Sequence, residues 1–272
     1  VTVTGLKPNK TGGIYNAQYA DWIADKTLDA SDYFTLNAGY YEIVDVNDLK
    51  DLYGFYWNDY KFKLTANIDL SGNPDFSIPY LAINEFDGNN KTISNLTISL
   101  STEENVGFIR FLRKGTIKNL GLTNVNITGG SRTGGLVGYS HVSNGESITI
   151  NNSYVTGSVT GTSYVGGLIG YNYVYNTDAT ATINNNTYTS CSVTGSSSYT
   201  GGLIGYNRAY YGTATINIDN SSATGTVTST SNYVGGLIGY NKAEYNSATI
   251  NITNSYATGN VSGITKTAGF AG

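Results

Sequence analysis

Apolar residues return along this chain at a long, regular interval. Leu136, Leu168, Leu203 and Leu237 each follow two glycines and precede Val or Ile, Gly and Tyr. One heptapeptide is therefore written four times, at Gly134 to Ser140, Gly166 to Asn172, Gly201 to Asn207 and Gly235 to Asn241. The second glycine of the motif recurs after 32, 35 and 34 residues. A shortened copy, Ala268 to Gly272, follows the last, and a weaker forerunner, Val106 to Ile109, precedes the first. Each unit carries two further stretches: Ala214-Thr215-Ile216-Asn217-Ile218, then Asn220-Ser221-Ser222-Ala223-Thr224-Gly225-Thr226-Val227, with counterparts in the other units. These stretches are β-branched, they alternate, and Gly, Asn and Ser bound them, which predicts strands. No apolar helical period runs through them.

Three short strands with bends between them predict one turn of an all-β fold, a right-handed parallel β-helix (β-solenoid) of roughly 33 residues per turn. One turn cannot bury its own inward face, whereas stacked turns about 4.8 Å apart set like residues over like. The expected inner columns are Leu136, Leu168, Leu203, Leu237 and Phe270, and Val159, Val193, Val227 and Val261. Asn152, Asn186, Asn220 and Asn254 suit an asparagine ladder at a corner. Glycines are expected where a corner needs positive φ or where backbones approach closely. Counting strictly from an inward Leu237 puts Ile238 outside, Gly239 inside and Tyr240 outside.

The first part of the chain reads differently. Val1-Thr2-Val3-Thr4 fits an edge strand, and Asn16 to Leu28 a short helix with Tyr19, Trp22 and Ile23 on one side. Asn47 is placed to cap a helix bearing Leu49, Leu52, Phe55 and Tyr56. Phe62, Leu64, Ala66 and Ile68 then alternate with polar residues. The expected organisation is a lead or cap segment over 1–40 and a solenoid over 41–272. Within the solenoid, 41–100 hold the cap and first turns, 101–272 the repeats, and the last turn is incomplete. A short helix over the first open edge would protect it from pairing.

The order of motifs carries a resemblance. Leu64-Thr65-Ala66-Asn67-Ile68-Asp69-Leu70-Ser71-Gly72 is followed by Phe86-Asp87-Gly88-Asn89-Asn90-Lys91-Thr92-Ile93, then Thr116-Ile117-Lys118-Asn119-Leu120-Gly121-Leu122, then the Gly-Gly-Leu units. Over about 41–272 this resembles the GLUG-repeat family of large secreted or surface-anchored microbial proteins. The repeat is found in adhesin-like proteins and as an accessory region of immunoglobulin A peptidases. The resemblance implies a β-helical fold and a cell-surface setting, and it implies no activity for this region.

Composition narrows the partners. Net charge is −4 and pI about 4.9, so the basic footprint of nucleic-acid or anionic-membrane binding is missing. No apolar run approaches the roughly 18 residues of a membrane span. A single cysteine excludes an internal disulfide framework. Cys191 stands in the column of Gly157, Gly225 and Gly259, where a small residue at a bend is expected. The chain has no methionine, as expected of a processed chain or a piece of a longer one.

Catalytic chemistry finds little support. The one histidine, His141, is expected in a solvated loop. It has no His-Glu-x-x-His or Gly-x-Ser-x-Gly context to make it a metal ligand or a triad base. Asp69 and Asp87 sit in turn sequences, so turn roles are expected for them rather than an acid/base pair. No catalytic, cofactor or metal site is expected.

Tyrosine is the exception. Tyr139, Tyr171, Tyr206 and Tyr240 recur in register, and so do Tyr164, Tyr199 and Tyr233. Tyr154, Tyr188 and Tyr256 form a third set broken by Ser222. Exposed, the first two sets would make a contact strip for a glycan, a host or neighbour-cell surface protein, or another copy of the chain; covered, they would be secondary packing. On the exposed reading Tyr206→Ser leaves the fold largely intact. The expected function is a non-catalytic, extracellular adhesin module. A self-assembling filament or surface-layer subunit is the alternative, and a carbohydrate-active β-helix enzyme a third reading.

Overall fold

The computed structural model describes residues 29–57 and 59–272. The strand expected over Val1 to Thr4 and the helix expected between Asn16 and Leu28 lie outside the described residues. The described chain winds into a parallel β-solenoid of about six turns, with a repeat of about 33 residues and one short helix near its start.

Parallel register stacks the turns. Along one wall Tyr41 pairs with Phe62, Phe62 with Phe86, Phe86 with Ile117, and the column continues through Ile150, Ile183, Ile218 and Ile252. On the next wall Ile98, Ile127, Val159, Val193, Val227 and Val261 pair in sequence. The leucine column stands as expected. Leu136 N donates to Leu168 O at 3.0 Å, Leu168 N to Leu203 O at 2.9 Å, Leu203 N to Leu237 O at 2.8 Å and Leu237 N to Phe270 O at 2.8 Å. The four leucines are fully buried, while Phe270, in the last turn, is 39% exposed. Each fully buried side chain of this size contributes about 1.5–3 kcal/mol, and only the stack supplies that burial.

A full turn runs through strands Ile169–Tyr175, Thr180–Asn184, and a third wall split into Thr187–Thr189 and Ser192–Gly195. Short strands of two to four residues, such as Val165–Gly166 and Asn232–Gly235, form a separate five-stranded sheet that the sequence pattern did not announce. The heptapeptide is consequently not one strand. Its first glycine closes the small sheet, its second glycine and its leucine turn a corner, and the wall strand starts at the Val or Ile. Because of that corner, strict alternation fails: Ile169, Ile204 and Ile238 are as fully buried as the leucines before them. Ile238 was expected outside and is not.

Close approach, not positive φ, explains the double glycine. A Cβ on Gly201 would lie 2.0 Å from the carbonyl oxygen of Ile204, and one on Gly202 would lie 2.1 Å from that of Gly236 in the next turn. Left-handed corners fall instead to asparagine, which tolerates them: Asn119, Asn152, Asn186, Asn220 and Asn254 have φ of 53°, 46°, 59°, 46° and 49°. The expected ladder forms in pieces. Asn152 donates to Asn119 at 2.8 Å and Asn220 to Asn186 at 3.0 Å, whereas Asn254 turns to Asp219 at 2.8 Å.

Helix α1 spans Val46–Asp51. Its N-cap is Asp45, which accepts from the backbone N–H of Asn47 and Asp48; Asn47 lies in the first turn and is not the cap. Only a residue still extended can turn its side chain back onto those free donors. Leu49 and Leu52 are fully buried and share the core with Ile43 and Leu64. Phe34 packs edge-on against Phe62 and Phe55, at 5.0 and 5.5 Å between ring centres. This aromatic knot joins α1 and the first turns into the same core.

Candidate functional site: an aromatic band along the solenoid

Beyond each corner the wall strands regain a period of two. In Ile169–Tyr175 the residues Tyr171, Tyr173 and Tyr175 face outward and are half-buried, while Asn172 and Val174 are fully buried. Parallel register stacks these positions. Tyr139, Tyr171, Tyr206 and Tyr240 form one column; His141, Tyr173, Arg208 and Lys242 the next; Ser143, Tyr175, Tyr210 and Glu244 a third. The first column continues backwards through Phe111 and Tyr80 to Trp57. Ring centres are 5.9 Å apart for Trp57–Tyr80, 5.1 Å for both Tyr80–Phe111 and Phe111–Tyr139, and 5.3 Å for Tyr139–Tyr171. They are 4.8 Å apart for Tyr171–Tyr206 and 5.3 Å for Tyr206–Tyr240. Rings thus touch without a break along one side of the molecule.

Tyr164, Tyr199 and Tyr233 form the neighbouring column, stacked at 5.2 and 5.1 Å. All three occupy the left-handed region, with φ of 55°, 70° and 59°. A bulky side chain there costs of order 1–3 kcal/mol. Tyr199 touches four rings, Tyr164, Tyr206, Tyr233 and Tyr240. At roughly 0.5–1.5 kcal/mol for each aromatic pair, the stack outweighs the strain. Cations hold the same left-handed place in the flanking turns. Arg132 (φ 58°) lies over Tyr139 at 5.1 Å, and Lys266 (φ 49°) over Tyr233 at 4.2 Å. On the other border Arg208 lies 4.3 Å from the centre of Tyr210 and pairs with Glu244 at 2.7 Å, where Lys242 also pairs at 2.7 Å. Lys242 and Arg208 hold the Glu244 carboxyl below its ordinary range.

The seven tyrosines expected to make a strip are therefore brought together, interleaved in two columns. They pack on one another rather than standing free: six are half-buried and Tyr206 is only 9% exposed. Neighbouring rings pack on them both face-on and edge-on, and burial raises the phenol pKa of Tyr139, Tyr171, Tyr199 and Tyr206. Tyr154 and Tyr188 stack at 5.0 Å on another wall, and Tyr256 stands exposed beyond Ser222.

His141 lies in strand Val137–Ser143 and not in a loop. It is half-buried and stacked between Tyr139 and Tyr173, at 5.8 and 5.1 Å. Burial, with Arg113 nearby, lowers its pKa, so it is a neutral member of the band at pH 7. Asp87 accepts from Asn89 N at 2.7 Å and Asn119 Nδ2 at 3.0 Å; Asp69 accepts from Ser71 N and Asn95 Nδ2, each at 2.9 Å. Both head asparagine columns. Burial pushes the Cys191 thiol up to about 11. Among the described residues no group of His, Cys, Asp and Glu is arranged to hold a metal ion, and no helix is long and apolar enough to cross a membrane.

Two features escaped the sequence pattern. Trp57, Tyr80, Phe111, Tyr173, Tyr175 and Tyr210 extend the band, and the period-two run Tyr171, Tyr173, Tyr175 was the signal for part of it. Inside the wall a second ladder runs from fully buried Ser140, Asn172 and Asn207 to a half-buried end at Asn241: Ser140 Oγ donates to Asn172 at 2.7 Å, Asn172 to Asn207 at 2.8 Å and Asn207 to Asn241 at 2.9 Å.

The fold and its contents define a parallel β-solenoid with a laterally stacked aromatic band. Residues 196–228 match the model of the GLUG motif, so the chain carries the motif that its ordered repeats resemble. A solved structure of similar fold is that of a putative immunoglobulin A1 protease from Bacteroides ovatus. It is 25% identical, with a TM-score of 0.66, and the match covers 85% of this chain and 69% of that one. No curated protein sequence matches the chain.

Proposed function

We propose that this GLUG solenoid is a non-catalytic contact module of a secreted or cell-surface protein, and that it holds partners through the aromatic band. The observation that carries the reading is the unbroken ring-to-ring path from Trp57 to Tyr240, bordered by Arg132, Lys266, Arg208 and Lys242. Tyrosine and arginine side chains on a rigid wall give large contact area at small entropic cost, which suits recognition of a glycan or a surface protein. Stiffness comes from stacking, so the band keeps its geometry without a partner. The likeness to a putative immunoglobulin A1 protease fits an accessory role beside another protein's chemistry.

Glycan arrays and whole-cell binding with the isolated chain test this. Binding should fall when Tyr233 and Tyr240 are both changed to Ser in a variant whose circular dichroism is unchanged. Binding indifferent to those changes, or turnover in a polysaccharide screen, would refute it. Self-assembly into filaments is the second reading, favoured by the exposed side chains of Tyr211 and Tyr245; electron microscopy of the purified chain separates the two.

A further inference from the structure

The composition leaves oxidising equivalents few places to go. The chain has no methionine and one cysteine, but 24 tyrosines. Cys191 is 1% exposed and remains a thiol. Sulfur, the usual first casualty of oxidation, is thus absent or sealed away. The tyrosines that remain are ordered. Tyr164, Tyr199 and Tyr233 stack with planes at 11° and 28°, one solenoid step apart, and each is partly open to solvent. Each ring lies over its counterpart in the next turn, with centres 5.2 and 5.1 Å apart. Coupling there requires the two rings to turn out of the stack until their ortho carbons meet.

We propose that the column Tyr164–Tyr199–Tyr233 is a site of oxidative cross-linking between turns, forming dityrosine when a peroxidase-type one-electron oxidant consumes hydrogen peroxide. Each of two phenols loses one electron and its hydroxyl proton. The radicals join through their ortho carbons, and each ortho hydrogen shifts to the adjacent oxygen as the rings regain aromaticity. One link removes two electrons and two protons, which reduce one hydrogen peroxide to two waters. Because the partners are 35 and 34 residues apart in sequence, each link closes a long loop and constrains the unfolded chain as a disulfide would.

The test is treatment of the dilute chain with a haem peroxidase and hydrogen peroxide. Readouts are dityrosine fluorescence, mass spectrometry of cross-linked peptides and a denaturing gel. The expected result is a monomeric chain with links joining the Tyr164 peptide to the Tyr199 peptide, or the Tyr199 peptide to the Tyr233 peptide, and a raised denaturant midpoint. Tyr199→Phe should abolish both links, and Tyr233→Phe only the second, which keeps the test decisive if the first variant folds poorly. A urea-unfolded chain should lose the selectivity. Links found chiefly between chains or at the exposed Tyr211, Tyr245 and Tyr256, or no dityrosine at all, would overturn the proposal.

Discussion

Asn172 donates its side-chain amide to Asn207 at 2.8 Å, and both residues are completely buried inside the solenoid. The bond joins successive turns where no water reaches. Asn207→Ala strands the Asn172 donor and removes the donor to Asn241. A buried polar group left unpaired costs about 1–3 kcal/mol, so a loss of roughly 2–4 kcal/mol is expected. Urea titration should show a lower midpoint at unchanged slope. Asn241→Ala, at the half-exposed end of the ladder, should cost clearly less; equal costs would show that the ladder has no cooperative role.

The double glycine makes a second, sharper contrast. A Cβ on Gly202 would meet the carbonyl of Gly236 at 2.1 Å, whereas one on Gly72, in the turn after Asp69, meets nothing within 4 Å. Gly202→Ala must push two backbones apart and should cost about 1–3 kcal/mol. Gly72→Ala should be neutral in the same thermal melt, because no atom stands over it.

Leu203 and Tyr206 lie in one heptapeptide and were expected to respond oppositely to polar substitution. Leu203→Asp places a carboxylate in the leucine column with no partner, at a cost of several kcal/mol against a total stability of about 5–15 kcal/mol. It should yield no folded protein at neutral pH by circular dichroism. Tyr206→Ser departs from the expectation. Tyr206 touches Tyr164, Tyr171, Tyr199 and Tyr240, so the substitution should cost about 2–4 kcal/mol rather than leave stability unaltered. A melt within a degree or two of the parent would show that the rings repack freely.

These contrasts mark how far the repeat is readable from sequence. Period alone aligned Leu136, Leu168, Leu203 and Leu237, because stacking at one strand spacing leaves like residues nowhere else to go. It also found both tyrosine columns. The corner inside the heptapeptide stayed hidden. Gly-Gly-Leu-Ile reads as a strand by alternation, yet close backbone approach bends the chain there and buries Ile238 beside Leu237. The inner asparagine ladder was hidden for a related reason: asparagine suggests a surface turn until Asn172, Asn207 and Asn241 are seen to satisfy one another. His141 looked like a loop residue because its aromatic neighbours, Tyr139 and Tyr173, flank it only once the strand is formed. The packing of the tyrosines on one another depends on ring orientation, which spacing does not encode.

Alkaline titration reads the band as a whole. Burial pushes the phenols of Tyr80, Tyr139 and Tyr173 from 10.0 up to about 12, with nearby tyrosines adding to the shift at Tyr139 and Tyr173. The folded state therefore holds these protons more tightly than the unfolded chain. Their contribution to stability is complete below about pH 10 and is lost as pH climbs from 10 towards 12, since the unfolded chain ionises first. Tyrosinate absorbance of the native protein should show one class titrating near the ordinary value and a second class released only as the protein unfolds. The urea midpoint should hold steady up to about pH 10 and fall above it. In Tyr139→Phe the late class should shrink. A single native transition near the ordinary phenol value, with no accompanying fall in the midpoint, would mean that solvent reaches the rings freely and that the band is not a packed structure.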